Sequence, residues 1–192
     1  IFLYESGLQA NWSALKNTDG SWKDEATGFC LTTNYGILKS EFERLGGFSE
    51  IFPHAAWEDV EFGLKAQKHS LKTVFEPDSI THHAHRQTLD GFIQRQLKEG
   101  ASRLILCTLH PEMGGSLLDM EGLRTTTSAN LQTAIQEARQ THFLTGEDAK
   151  KVRFDRWLHA CRMASLEGIR RGLAERSKTN KVWLAIPHIH TQ

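Results

Sequence analysis

Residues 57–110 constrain the fold most, because apolar side chains recur there at helical spacing, then in two short runs, and then at helical spacing again. Apolar residues three or four apart mark one face of a helix, whereas short runs bounded by turn residues mark strands. Acidic residues at positions 58, 59 and 61 suit the start of a helix, where the helix dipole is positive. The predicted elements are a helix from Trp57 onward, strands at Leu71–Phe75 and Ser79–His83, and a helix over Thr88–Leu109.

The segments on either side predict a mixed fold that becomes helical toward the C-terminus. Glycine turns recur through residues 1–56, where Phe29–Tyr35 predicts a short strand and Ser40–Leu45 predicts a helical turn that begins with a serine cap. Residues 116–180 have a mostly helical pattern, with a break near Thr141–Gly146. The sequence therefore predicts an α/β fold of short strands and helices, followed by an α-helical C-terminal region.

Length and composition favour one domain, or one domain with an extension, that folds without disulfide bonds. The chain has 192 residues, of which 39% are hydrophobic and 24% are charged, as is typical of globular proteins. Apolar runs such as Leu104–Cys107 are far shorter than the ~20 residues that cross a bilayer, and the N-terminus lacks a signal-peptide pattern. Cys30, Cys107 and Cys161 form no CxxC pair, so we expect reduced thiols. The predicted location is cytoplasmic, with a peripheral position at the inner membrane face as the alternative.

Charge is divided unevenly along the chain, although the formal net charge is zero. Residues 1–149 hold 13 Lys and Arg against 20 Asp and Glu, whereas residues 150–192 hold 10 against 3. Either the basic segment packs on the acidic body, or a basic helix over residues 150–181 contacts a membrane surface or phosphate groups. Nucleic-acid binding is not predicted, since the body is acidic and has no basic stripe with interleaved aromatic residues.

Two adjacent carboxylates, Glu58 and Asp59, are the first candidates for chemistry. They follow Trp57 directly and come after a Gly46-Gly47 turn. Acidic residues at a helix start can simply stabilise the helix terminus. A carboxylate at the mouth of a site can also take the proton from a sugar hydroxyl, provided that it lies within ~3 Å of that group, and a neighbouring tryptophan offers an aromatic wall for the sugar.

Three of the ten histidines cluster at positions 82, 83 and 85. On a strand, His83 and His85 share one face and His82 takes the other. Imidazole groups bind metals, but a complete site needs ligands from elsewhere, and the sequence has no HExxH motif or second ligand cluster. The cluster is therefore either part of a metal site or a group of surface or core histidines.

Basic side chains follow the histidines at Arg86, Arg95, Lys98 and Arg103. The last three share part of a helix face and can neutralise a diphosphate leaving group. The alternative is a solvated helix face. The glycine-rich phosphate-binding motifs, the GxSxG nucleophile motif and the kinase motifs are absent from the sequence.

Taken in order, these motifs resemble the C-terminal half of the catalytic domain of family 2 glycosyltransferases, which have the GT-A fold. The similar stretch runs from about Phe2 to Met113. It includes Gly46-Gly47-Phe48, then Trp57-Glu58-Asp59 opening a helix, then a strand that ends in histidine, and both the order and the spacing fit. The resemblance implies an acceptor-side half-domain over residues 1–113 and a helical extension over residues 114–192.

The resemblance also implies a role for each matched residue. Asp59 would deprotonate the acceptor hydroxyl, and Glu58 would orient the acceptor or the base. The remaining roles implied are acceptor binding by Trp57, Gly46, Gly47 and Asn34, contact with the donor diphosphate by Arg86 and Arg95, and binding of Mg²⁺ or Mn²⁺ by His83, with His85 and His82 as alternatives.

The implied reaction transfers a sugar from a nucleotide-sugar donor to a hydroxyl of a glycan or lipid-linked acceptor. The acceptor oxygen would attack the anomeric carbon opposite the leaving group, so that a single displacement inverts that centre, while the metal neutralises the departing nucleoside diphosphate. The Gln-x-x-Arg-Trp motif of processive members does not match Gln94–Lys98, which predicts single sugar addition.

The sequence departs from the family pattern because it has neither the N-terminal βαβ region nor the Asp-x-Asp metal motif. It also begins on the apolar run Ile1–Tyr4 without a methionine, as expected of a segment of a longer protein. Two other hypotheses are therefore kept: a non-catalytic domain that binds a glycan or a partner, and a metal-dependent hydrolase built on the histidine cluster.

Overall fold

The computed structural model describes residues 16–21, 30, 32, 34–76, 78–82, 88–146 and 148–179. Helices account for 66% of the described residues and strand for 1%, and no sheet is present among them. The predicted α/β fold, with a GT-A-like mixture of short strands and helices, is therefore wrong for this part of the chain. The helices predicted for the C-terminal region are present.

The helix boundaries follow local capping signals in part. Thr88 caps the predicted second helix, because its side chain accepts a hydrogen bond from the Gly91 backbone. Ser40 was predicted as a cap, but it lies inside a helix that begins after Leu38 without a side-chain cap. The α-helices are α1 (Lys39–Arg44), α2 (Glu58–Lys68), α3 (Leu89–Leu109), α4 (Gly114–Leu117), α5 (Met120–Thr125), α6 (Ser128–Gln140) and α7 (Ala149–Thr179), with 3-10 turns at Pro111–Met113 and Thr141–Phe143.

The chain divides into two compact units. Unit 1 comprises Ile1–Glu50 and Glu58–His85, and unit 2 comprises Ile51–Trp57 and Arg86–Gln192. The domain boundary predicted after residue 113 is a different division and stays a prediction. None of the described helices combines the length and apolar character needed to cross a bilayer.

Unit 1 has a small core centred on Phe62, whose side chain is fully buried. The other buried members of this core are Cys30, Leu45 and Ala66. Half-buried apolar side chains complete the cluster, namely Tyr35, Ile37, Phe42 and Leu71. Helices α1 and α2 therefore share one apolar cluster, and the turn between them is held close to it.

The strands predicted in unit 1 are missing where the structure describes them. Residues 71–76 and 79–82 are not in strands, and the predicted strand Phe29–Tyr35 lies partly outside the described residues. The Leu71 backbone N–H instead donates to the Ala66 carbonyl at the end of α2. A strand is stable only when its backbone pairs with another, and within the described residues no strand pairs with 71–76.

Unit 2 is built on a close crossing of α3 and α7, with α6 packed on the same side of α7 as part of one core. A Cβ atom added to Gly100 would lie 2.0 Å from the Ser165 carbonyl oxygen. One added to Gly168 would lie 2.1 Å from the Leu97 carbonyl oxygen. The two backbones therefore touch directly at both glycines, and no other residue fits there without moving a helix.

Ion pairs tie the basic face of α7 to acidic groups within unit 2. Arg156 pairs with Glu137 of α6, and Arg162 pairs with Asp119, the cap of α5. Part of the basic charge near the C-terminus is thus compensated by acidic residues of the same unit. This observation favours internal packing for these two arginines, and the membrane contact predicted for residues 150–181 stays a prediction.

Glu167 is the most completely buried charged side chain of α7, with 1% of its side chain exposed. Burial by itself raises the pKa of Glu167, but hydrogen bonds from Arg170, Arg171 and Ser128 outweigh it and lower the pKa from 4.5 to about 2. Because Ser128 is the first residue of α6, the carboxylate also links α7 to the N-terminus of that helix.

We expect Glu167→Gln to lower the free energy of unfolding at pH 7 by about 2 kcal/mol. The pKa difference alone corresponds to about 3 kcal/mol, and we discount it because both arginine partners remain about half exposed. A lowered pKa stabilises the fold fully above pH 4.5, and the effect is lost as the pH falls toward 2.

Urea unfolding at pH 7, 4 and 2.5 measures whether the free energies of unfolding of the variant and of the unsubstituted protein converge as the pH falls. Equal pH slopes for the variant and the unsubstituted protein would contradict the assignment, and Glu137→Gln is the control for an exposed ion pair.

Candidate functional site

The Gly46-Gly47 turn ends α1 and brings the chain back toward the core of unit 1. Gly46 and Gly47 have φ angles of 78° and 64°, a left-handed conformation that glycine adopts without strain. The Gly47 N–H donates to the Phe42 carbonyl and the Gly46 N–H donates to the Glu43 carbonyl. These bonds satisfy carbonyl groups at the helix end, as glycine caps commonly do.

The same turn is tied to α2 by Lys65. The Lys65 ammonium donates to the Gly47 carbonyl oxygen at 2.8 Å and pairs with the Glu61 carboxylate at 3.3 Å. Glu61 is buried, so the pair is well shielded from solvent. Two motifs that the sequence singled out, the glycine turn and the acidic start of α2, therefore belong to one connected structure in unit 1.

Aromatic packing also holds the glycine turn against α2. The rings of Phe42, Phe48 and Phe62 lie 5.1 to 5.3 Å apart, centroid to centroid, in tilted and edge-to-face contacts. Phe48 follows the glycine turn, whereas Phe62 is on α2. Such ring pairs add a directional preference to the burial of apolar area, which holds the turn at a defined position on α2.

Glu58 and Asp59 form the first turn of α2 and are both half-buried. Asp59 Oδ1 accepts the backbone N–H of Val60 at 2.8 Å. Glu58 Oε2 is buried from solvent and accepts no hydrogen bond from the residues that the structure describes. A buried carboxylate oxygen without a donor is costly in a folded protein, and such groups occur where a ligand or water completes the site.

A buried thiol lies beside the two carboxylates. Burial raises the pKa of Cys30 to about 11, and the negative charges of Asp59 and Glu58 raise it further, while a hydrogen bond with Tyr35 opposes the change. The thiol is therefore neutral at physiological pH and acts as a small apolar group in the core of unit 1. Burial and the neighbouring Cys30 also raise the pKa of Tyr35.

Trp57 precedes these carboxylates in the chain and belongs to unit 2. Its φ angle is 72°, a left-handed conformation that costs a non-glycine residue about 1 kcal/mol or more. Its indole Nε1 donates to the carboxylate of Glu99 on α3. The surroundings thus hold Trp57 in a strained backbone conformation.

The other predicted site residues are described only in part. The Asn34 side chain donates to the Ser79 carbonyl oxygen at 2.7 Å within unit 1. Arg95 is exposed on α3, and His82 is exposed in unit 1. The predicted residues His83, His85 and Arg86 lie outside the described residues. The proposed diphosphate and metal contacts therefore stay predictions.

A metal site is not complete in the part of the chain that the structure describes. No three His, Cys, Asp or Glu side chains come together there in a way that could hold an ion. An imidazole with oxygen ligands would suit Mn²⁺ or Mg²⁺. His83, the preferred ligand, lies outside the described residues, so the predicted metal site stays a prediction.

Two residues of the site were missed by the sequence analysis. Lys65 forms an i,i+4 pair with Glu61, and such a pair in a sequence does not indicate a bond from the lysine to a distant turn. Cys30 gave no signal, since an isolated cysteine in an irregular segment matches no motif. No family model, no curated protein and no solved structure matches this chain.

Proposed function

We propose that this chain is the acceptor side of an inverting glycosyltransferase that resembles family 2 enzymes and adds one sugar at a time. The observation that supports it is the Lys65 bond to Gly47, because the same lysine pairs with Glu61 and so ties the glycine turn to the first turn of α2. The glycine turn and the carboxylates that open α2 are two of the three motifs that carry the resemblance, and the third, a strand that ends in histidine, is not present at residues 79–82. The half-buried carboxylates and the unpartnered Glu58 oxygen suit a site that receives a polar ligand.

Asp59 is the proposed general base. It takes the proton of the acceptor hydroxyl as that oxygen attacks the anomeric carbon of the donor. The bond from the anomeric carbon to the nucleoside diphosphate breaks, and that group leaves with its bonding electrons. Glu58 orients the acceptor through Oε2, which has no donor among the described residues, and Trp57 keeps the acceptor-binding role that the resemblance implies. Mg²⁺ or Mn²⁺, with His83 among its ligands, would balance the charge of the leaving group.

The assay uses the protein expressed from its complete gene, with MnCl₂ and a panel of UDP-, GDP- and dTDP-sugars. Methyl glycosides serve as acceptors, and the release of nucleoside diphosphate is measured. We expect release that depends on the acceptor and a product whose anomeric configuration is inverted, as measured by the ¹H coupling constant of the anomeric proton. Retention of configuration, or no acceptor-dependent release from any donor, would contradict the proposal.

The second candidate is a non-catalytic domain that binds a glycan or a partner. The half-buried acidic site and the left-handed Trp57 also suit a binding surface. Saturable glycan binding without release of nucleoside diphosphate would favour this candidate over transfer.

A further inference from the structure

Trp57 is held by a network of side chains that the proposed reaction does not use. Its indole Nε1 donates to Glu99 Oε1 at 2.7 Å. The Arg103 guanidinium lies over the indole, 5.3 Å from the ring centroid, and donates to the same Glu99 oxygen at 2.7 Å. All three residues belong to unit 2.

The Glu99 carboxylate has a donor on each of its oxygens. Its second oxygen, Oε2, accepts the Ser165 hydroxyl of α7 at 2.8 Å. Ser165 lies at the close crossing of α3 and α7, where its carbonyl faces Gly100. Glu99 therefore links the tryptophan to the close crossing of α3 and α7, and hydrogen bonds to its charged carboxylate are the stronger kind.

The network limits what Trp57 can offer to a ligand. Its one polar group, the indole N–H, is already bonded to Glu99, so the side chain presents only its ring carbons and π surface. Strained backbone conformations persist where the surroundings fix them, and they cluster at functional sites. A tryptophan with a left-handed backbone, whose indole N–H is already hydrogen-bonded, suits contact with an apolar surface. It cannot donate a hydrogen bond to a ligand hydroxyl.

On the basis of the proposed function, we propose that Glu99 is a positioning residue for Trp57. The indole so held binds the apolar face of a hexopyranose acceptor. The matching class is a β-glucoside or β-galactoside, whose axial ring hydrogens form one apolar face. Glu99 touches no substrate and acts through Trp57 alone.

The test is sugar binding to the protein labelled with 5-fluorotryptophan, followed by ¹⁹F NMR, with the Trp57 resonance assigned from Trp57→Phe. The probes are methyl β-D-glucopyranoside and methyl β-D-galactopyranoside, and methyl α-D-mannopyranoside is the control sugar because its axial substituents interrupt the apolar face. We expect the Trp57 resonance to shift with the two β-glycosides. Glu99→Ala should raise the half-saturating concentration at least about tenfold, whereas Glu99→Gln, which keeps an acceptor for the indole N–H, should stay within about threefold.

Glu137→Ala is the matched control, since it removes an ion-paired carboxylate of the same unit that has no bond to Trp57. If Glu99 had only a structural role, Glu99→Ala would lower stability but leave the half-saturating concentration unchanged, and the inference would be overturned. An unshifted Trp57 resonance in the unsubstituted protein would overturn it as well. Binding needs no donor, so Trp57-dependent binding without any sugar transfer would support the inference and contradict the proposed function instead.

Discussion

Replacing Gly168 with alanine is expected to lower the free energy of unfolding by about 3 kcal/mol or more, enough to unfold a marginally stable unit. The added methyl group would lie 2.1 Å from the Leu97 carbonyl oxygen. Real Cβ atoms do not approach backbone oxygen so closely, and no side-chain rotation relieves the clash, so α3 and α7 must separate. The direction of this change is informative, because alanine in place of glycine inside a helix otherwise raises the free energy of unfolding by about 1 kcal/mol.

Thermal and urea unfolding followed by circular dichroism measure this effect. Gly100→Ala should behave in the same way, since its added Cβ would lie 2.0 Å from the Ser165 carbonyl oxygen. The matched control is Gly115→Ala in α4, where an added Cβ meets nothing within 4 Å. That variant should unfold at or slightly above the temperature of the unsubstituted protein. A Gly168→Ala protein as stable as the Gly115→Ala control would show that α3 and α7 do not cross as closely as described.

The close crossing of α3 and α7 leaves a signal in the sequence, but that signal is not hydrophobic periodicity. Among the apolar side chains of α7, Leu158 and Leu173 are about 40% exposed, whereas Cys161, Leu166 and Ile169 are buried. The residues that approach α3 and the core are small and recur every four positions, namely Ala160, Ala164, Gly168 and Gly172. Hydrophobic periodicity identifies large apolar side chains, whereas a close helix crossing selects small ones, so periodicity alone identifies only part of the packed face of α7.

The strands could not be predicted in the same way, because pairing is a property of two segments. Along residues 71–76 the side chains do alternate between half-buried and exposed, as the sequence pattern indicates. Local pattern therefore captured which side chains face the core. It could not establish whether a neighbouring strand supplies the backbone hydrogen bonds, and within the described residues none does.

The candidate site was predicted as two separate motifs, and the bond that ties the glycine turn to α2 is visible only in the structure. Gly46-Gly47 and Glu58-Asp59 are recognisable because glycine turns and acidic helix starts have strong local preferences. The bond from Lys65 to Gly47 spans 18 residues and depends on how α1 and α2 pack. Glu99 is still farther from Trp57 along the chain, and no local rule connects a helix carboxylate to a distant indole.

Asp59→Asn is expected to lower the rate of sugar transfer by about 10²- to 10⁴-fold, the range that general-base catalysis contributes. The asparagine keeps the side-chain oxygen that accepts the Val60 N–H, so the start of α2 should stay intact. It cannot take the proton of the acceptor hydroxyl, because an amide is not a base at physiological pH. The loss should therefore appear in the rate constant kcat more than in the KM for the acceptor.

The measurement is acceptor-dependent release of nucleoside diphosphate by purified variants whose unfolding temperatures differ by less than about 3 °C. Glu50→Gln, which removes one exposed carboxylate of unit 1, is the control and should keep full activity. Glu58→Gln should show a smaller loss than Asp59→Asn, because an amide oxygen can still orient the acceptor. If Asp59→Asn retains transfer within about tenfold of the unsubstituted protein, Asp59 is not the base, and a Glu58→Gln protein with the larger loss would move that role to Glu58.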